Sequence, residues 1–70
     1  MASSPRKPDL APLKARYYHI PLAQQATSPG QLLDAVIRHE LFRSPKKNYA
    51  QVMREVLDAD PALKLAYAES

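Results

Sequence analysis

His39 followed by Glu40 is the closest approach this sequence makes to a catalytic pattern. A zinc-protease helix needs two histidines four residues apart with a glutamate between them as general base. Here Glu40 is followed by Leu41, Phe42 and Arg43, so the second ligand is missing. His19 is the chain's other histidine, and there is no cysteine. Thiolate metal sites, cysteine nucleophiles and disulfides are thereby all excluded. A single glycine, Gly30, rules out a Gly-rich phosphate loop. No nucleophile, base and orienting group stand in a recognisable set. The expectation is therefore a protein with no catalytic residues, no metal, no cofactor and no small-molecule substrate.

The cations carry a second kind of chemistry. Ser4-Pro5-Arg6-Lys7 and Ser44-Pro45-Lys46-Lys47 each place two positive side chains on a compact turn. Such a turn suits a narrow, strongly negative DNA groove, which makes Arg6, Lys7, Lys46 and Lys47 candidate nucleic-acid contacts. These turns resemble those in tails of linker-histone type, and they also resemble proline-directed phosphorylation sites. The net charge of +3 is unevenly placed. Residues 1–27 hold Arg6, Lys7, Lys14 and Arg16 against Asp9 alone, whereas residues 28–70 balance six basic against six acidic side chains. A DNA-binding protein of this size usually concentrates more charge on its folded part.

Those basic residues sit on an N-terminal arm, residues 1–27. Residues 1–13 are proline-rich and poor in bulky apolar side chains, which predicts a disordered or polyproline-like segment. Its Pro5–Pro8 pair has the spacing of a PxxP ligand. In residues 14–23, Tyr17, Tyr18, Ile20 and Leu22 cluster in otherwise polar sequence and favour extended structure. Two readings stand side by side. Ile20 and Leu22, with one tyrosine, could fold back over the helices that follow; or Arg16, Tyr17, Tyr18, Ile20 and Leu22 form an extended recognition segment that orders along a partner.

Residues 28–70 read as a small helical domain: a helical hairpin plus a short C-terminal helix, all-α. Ser28-Pro29-Gly30-Gln31 is a strong helix start, with serine as cap and proline at the first helical position. That helix should stop near Arg43, ahead of Pro45. Leu33, Val36, Ile37 and Leu41 form its apolar stripe, and Leu32 and Phe42 widen it enough to touch two neighbours. Asp34 and Arg38 are one turn apart, as in a surface ion pair. Asn48 caps the clearest amphipathic helix, in which Tyr49, Val52, Met53, Val56 and Leu57 recur at helical period. This second helix should run antiparallel to the first and end near Asp58 or Ala59. Asp60-Pro61 restarts the chain into a short third helix with Leu63, Ala66 and Tyr67 on one side.

Size then bears on function. Apolar residues make up 46% of the chain, but eleven of them are alanines, so large core-forming side chains are few. For chains this short, burial at about 25 cal/mol per Å² nearly cancels a conformational cost of about 1.5 kcal/mol per residue. Two and a half helices should leave the seam Leu33, Val36, Ile37, Leu41, Tyr49, Val52, Met53, Val56, Leu57, Leu63 and Tyr67 partly open. The expected function is a non-enzymatic protein–protein interaction module (assembly factor, small structural subunit or inhibitor), binding a larger protein or a second copy. No run of eighteen apolar residues exists to span a membrane, and no signal-peptide core is visible, so a cytoplasmic protein is expected.

Two resemblances add to this reading. An extended segment followed by helix, turn and helix resembles a ribbon-helix-helix repressor, with residues 16–22 as ribbon and 29–43 and 48–58 as helices. That layout implies a dimeric DNA-binding regulator, although its connector is longer than that family's and Pro21 interrupts the ribbon. The stretch from Arg38 to Tyr67 is similar to a short helical segment recurring in phage and prophage proteins, carried by Tyr49, Ala50, Met53, Val56, Leu57, Pro61, Leu63 and Tyr67. It implies a phage or mobile-element origin and no activity.

Overall fold

In a computed structural model, which describes residues 10–69, the chain forms five helices and, among the described residues, no strand. They are α1 (Ala11–Arg16), α2 (Pro21–Gln24), α3 (Pro29–Arg43), α4 (Tyr49–Ala59) and α5 (Pro61–Ala68). The three long helices begin as their capping residues dictate. The side chain of Ser28 accepts from the Gln31 N–H at 3.2 Å, that of Asn48 from the Gln51 N–H at 2.7 Å, and that of Asp60 from the Leu63 N–H at 3.1 Å. Each bond satisfies an N–H that has no partner inside its own helix. At α3 the glutamine of the capping box reaches one residue further back than the usual pattern. Gln31 Oε1 accepts from the N–H and hydroxyl of Thr27, both at 2.7 Å.

Helix α3 is the centre of the molecule, and α2, α4 and α5 all pack on it. Leu32, Leu33, Ala35, Val36 and Ile37 are buried along it, a face too wide for one neighbour. Helix α4 covers one side of that face with Val52 and Val56, and α5 adds Leu63 and Ala66. The Tyr49 hydroxyl, on the first residue of α4, donates to Asp34 in the second turn of α3 at 2.7 Å. That bond ties the start of α4 to the N-terminal half of α3.

The segment before Ser28 differs from the extended arm that its composition predicts. Residues 1–9 lie outside the described residues, but α1 and α2 are helical and belong to the core. Leu13, Ile20, Ala23 and Ala26 are all buried with the α3–α5 residues in one cluster. The boundary at residue 27 therefore separates no two structural units. Pro12 and Pro21 stand at the starts of α1 and α2, where a missing N–H costs nothing, so they begin helices here. Gln24 ties the two together: its Nε2 donates to the carbonyls of Lys14 at 3.1 Å and Tyr17 at 2.8 Å, and its own carbonyl accepts from Lys14 Nζ at 3.2 Å. The ribbon expected at 16–22 is likewise absent, since that stretch is the end of α1, a turn and the start of α2.

With α1 and α2 in place, the seam closes within one chain. Leu33, Val36, Ile37, Val52, Val56 and Leu63 are buried, while Leu41, Met53 and Leu57 are partly buried against the same cluster. Only Tyr49 and Tyr67 of the expected seam lie exposed. The expectation of an open seam failed because it left out the four apolar side chains that the N-terminal segment supplies. No helix of the described residues is long and apolar enough to cross a membrane.

Candidate functional site

Two places gather polar or exposed side chains from distant parts of the chain. The first is Asp60, which is only 3% exposed. Its carboxylate accepts from Arg16 Nη1 at 2.5 Å and Tyr17 Oη at 2.7 Å, in addition to capping α5, while its backbone N–H closes α4 on Val56. Burial alone would push this carboxyl upward and is the largest single influence. The Tyr17 hydroxyl, the Leu63 N–H and the Arg16 guanidinium together outweigh it and hold the group below its ordinary range. Burial and then the bond to Asp60 push the Tyr17 hydroxyl well above the ordinary tyrosine value. Both oxygens of the carboxylate are engaged. It is a clamp between α1 and the α4–α5 junction.

The same clamp revises two of the arm residues expected to bind a partner. Arg16 and Tyr17 are engaged with Asp60, and Ile20 is in the core. Tyr18 and Leu22 are left facing solvent, at 79% and 56% exposure. Leu22 meets a strip of α3, and Tyr18 is linked to the same strip only through His19. Phe42 stands on that strip at 88% exposure, the most exposed of the large apolar side chains described.

Together these residues form the second place, an apolar face between α2 and the C-terminal half of α3. Ile20, Pro21 and Leu22 make one wall of an open groove of about 330 Å³, and Ala35, Arg38, His39 and Phe42 make the other. A chain of rings borders it. Tyr18 packs edge-on to His19 with centroids 5.6 Å apart, and His19 packs edge-on to His39, again at 5.6 Å. The two histidines that sequence reading kept apart are thus neighbours. Arg38, on the same strip, is bound through Nε to Asp34 Oδ2 at 2.8 Å. The Tyr49 hydroxyl first, and then Arg38, hold the Asp34 carboxyl below its usual range. The signal for this face was present in the α3 pattern, in Ala35, His39 and Phe42 at i, i+4 and i+7. Of the two readings of residues 14–23, the folded-back one holds: Ile20 and Tyr17 pack on the core and Leu22 lies beside α3.

The seam residues expected to serve as an interface are mostly consumed by the core. Met53 and Leu57 line a second shallow groove with Ala50, Arg54, Asp58 and Lys64 around it, and Val36, Val52 and Val56 border a third beside Tyr17 and Glu40. Arg6 and Lys7 lie outside the described residues. Lys46 and Lys47 are exposed on the α3–α4 connector, and Lys47 Nζ is bound to Glu55 at 2.8 Å. Arg16, Arg38 and Arg43 also face carboxylates, those of Asp60, Asp34 and Glu40. No family model, curated protein or solved structure matches the chain.

Proposed function

We propose that this chain is a non-enzymatic protein–protein interaction module that docks through the face formed by Tyr18, Leu22, His39 and Phe42. One observation carries the reading: a phenylalanine 88% exposed on the central helix, beside an apolar groove, on a molecule whose core is otherwise closed. An aromatic side chain carries roughly 150–250 Å² of surface. Tyr18 and Phe42, with half of Leu22, therefore leave on the order of 400 Å² of side chain in water. Contiguous patches of about 300–600 Å² are the largest that small monomers ordinarily show, and they are often functional. Large aromatics at the centre of such a patch are also the side chains that dominate binding energy at interfaces.

An assembly factor, a small structural subunit or an inhibitor would each use such a face. The resemblance of Arg38–Tyr67 to a phage helical segment favours a part of a phage or mobile-element assembly. The dimeric DNA-binding regulator has less support, because four of the described cations are matched to carboxylates. Its ribbon segment is also no strand but the end of α1, a turn and the start of α2.

The test is to capture partners from the native host with the wild-type chain and with Phe42→Glu and Leu22→Glu. Both residues are exposed, so both variants should keep the wild-type circular dichroism and melting. The expected result is at least a tenfold loss of whatever the wild type retains. Equal retention by folded variants would overturn the reading.

A further inference from the structure

We infer that residues 10–19 form a strap that opens and closes as one unit, and that Asp60 is the positioning residue that holds it shut. Helices α2, α4 and α5 pack on α3, and α4 packs on α5, but α1 takes part in none of these pairings. Leu13 is the strap's one buried side chain; Leu10 and Tyr17 are only partly buried against the core. A six-residue helix has no stability of its own in water, so α1 is either docked or unwound. The polar ties that dock it are few. Arg16 and Tyr17 donate to Asp60 at 2.5 and 2.7 Å, and the remaining bonds, between Gln24 and Lys14 or Tyr17, are exposed to water. The strap ends at Ile20, which is 2% exposed and which Pro21 confines to the extended backbone it adopts.

The same short stretch reaches two distant places. Tyr17, fastened to the α4–α5 junction through Asp60, is followed directly by Tyr18 and His19. Their rings run edge-on to one another and then to His39 on α3. Losing the two bonds to Asp60 therefore frees the backbone that carries those rings, while Ile20 and Ala23 keep α2 seated in the core. Coupling between separate sites needs an element with two states that both sites bias, and the strap is such an element. Its opening exposes little buried surface, so it lies below global unfolding in free energy. The consequence for docking, a border of Tyr18 and His19 that is set only while Asp60 holds, rests on the reading above; the strap itself does not.

Amide hydrogen exchange read residue by residue in the full chain tests this without a partner. In the wild type, the amides of Lys14 and Tyr17, bonded within the strap, should exchange at least ten times faster than those of Val36 and Ile37. Their exchange should also depend little on urea, as befits a small opening. Arg16→Ala with Tyr17→Phe removes both donors and leaves Asp60 to cap α5. It should speed the strap amides at least a further tenfold and abolish the nuclear Overhauser contact between the His19 and His39 rings. Asp60→Asn should act in the same direction, and it carries the test if the double variant does not fold. Asn48→Ala, which unfastens α4, is the control: it should speed the α3 amides and leave the strap amides unchanged. One common exchange rate for strap and α3 amides, or equal acceleration of both by Asn48→Ala, overturns the strap. A ring contact that survives in the folded variants overturns Asp60 as its holder. Neither result bears on capture of a host protein through Phe42, so a failure here is distinguishable from a failure of the docking reading.

Discussion

Removing the Asp60 carboxylate should reveal how the N-terminal segment is held. Asp60→Ala deletes the cap of α5, worth about 1 kcal/mol. It also strands the Tyr17 hydroxyl, which is partly buried and donates to Asp60 at 2.7 Å. Leaving such a donor without a partner costs about 1–3 kcal/mol, and partial exposure places this one at the low end. The Arg16 contribution is discounted to a few tenths, because that side chain is 57% exposed. The sum is a loss of about 2–3 kcal/mol, against a total of about 4–10 kcal/mol for a chain of this length. Thermal midpoints of small domains move roughly 4–8 °C per kcal/mol, so a fall of about 10–20 °C is expected.

Urea unfolding followed at 222 nm gives the free energies directly. Asp60→Asn keeps an oxygen for the Leu63 N–H and should recover about half of the loss. Tyr17→Phe should cost about 1 kcal/mol alone, and less in the Asp60→Ala background, with a coupling of at least about 0.5 kcal/mol. An Asp60→Ala variant within about 0.5 kcal/mol of wild type would refute the clamp, since that is the range of ordinary surface substitutions.

The remaining expectations follow from the same geometry. The Asp60 and Asp34 carboxyls bind protons less tightly folded than unfolded, so their stabilisation is complete above the ordinary carboxylate range. It is lost as pH falls below about 4, which an acid titration of the melting temperature would read. Tyr17 behaves in the opposite sense. Its raised value means stability is intact below the ordinary tyrosine pKa of about 10 and declines as pH rises beyond it, and Tyr17→Phe should flatten that alkaline limb. Ile20→Ala, in a fully enclosed position, should cost about 2–5 kcal/mol by chemical denaturation. Residues 28–70 alone should show no cooperative melting, having lost four buried side chains. Asn48→Ala should cost about 1 kcal/mol through loss of the α4 cap.

What the sequence made legible was what local chemistry decides. Ser28, Asn48 and Asp60 announce α3, α4 and α5, and all three caps form as their residue types require. The 3.6-residue recurrence of Val52 and Val56, and of Leu33, Val36 and Ile37, located the part of the core where α3 and α4 meet. The N-terminal segment was illegible for an equally physical reason. Helices of six and four residues are too short to display a period, and alanines such as Ala23 and Ala26 bury fully without registering as core formers. Pro12 and Pro21 read as breakers until their position at the first turn is known. Long-range polar partners, Arg16 and Tyr17 for Asp60, leave no mark in a sequence, because forty-odd residues separate them. Tyr49 has the right spacing for the seam, yet its hydroxyl pulls it to Asp34 at the surface. The docking face followed from these gaps: once α2 is seen to lie on α3, Leu22 and Phe42 become neighbours.

The proposed function requires that this exposed face, and not the buried seam, meet another chain. The most direct measurement is association, by sedimentation and by host capture, of wild type beside Phe42→Glu at matched helicity and melting temperature. A variant folded like wild type that loses every association is the predicted result. A folded variant that associates as well as wild type would contradict it.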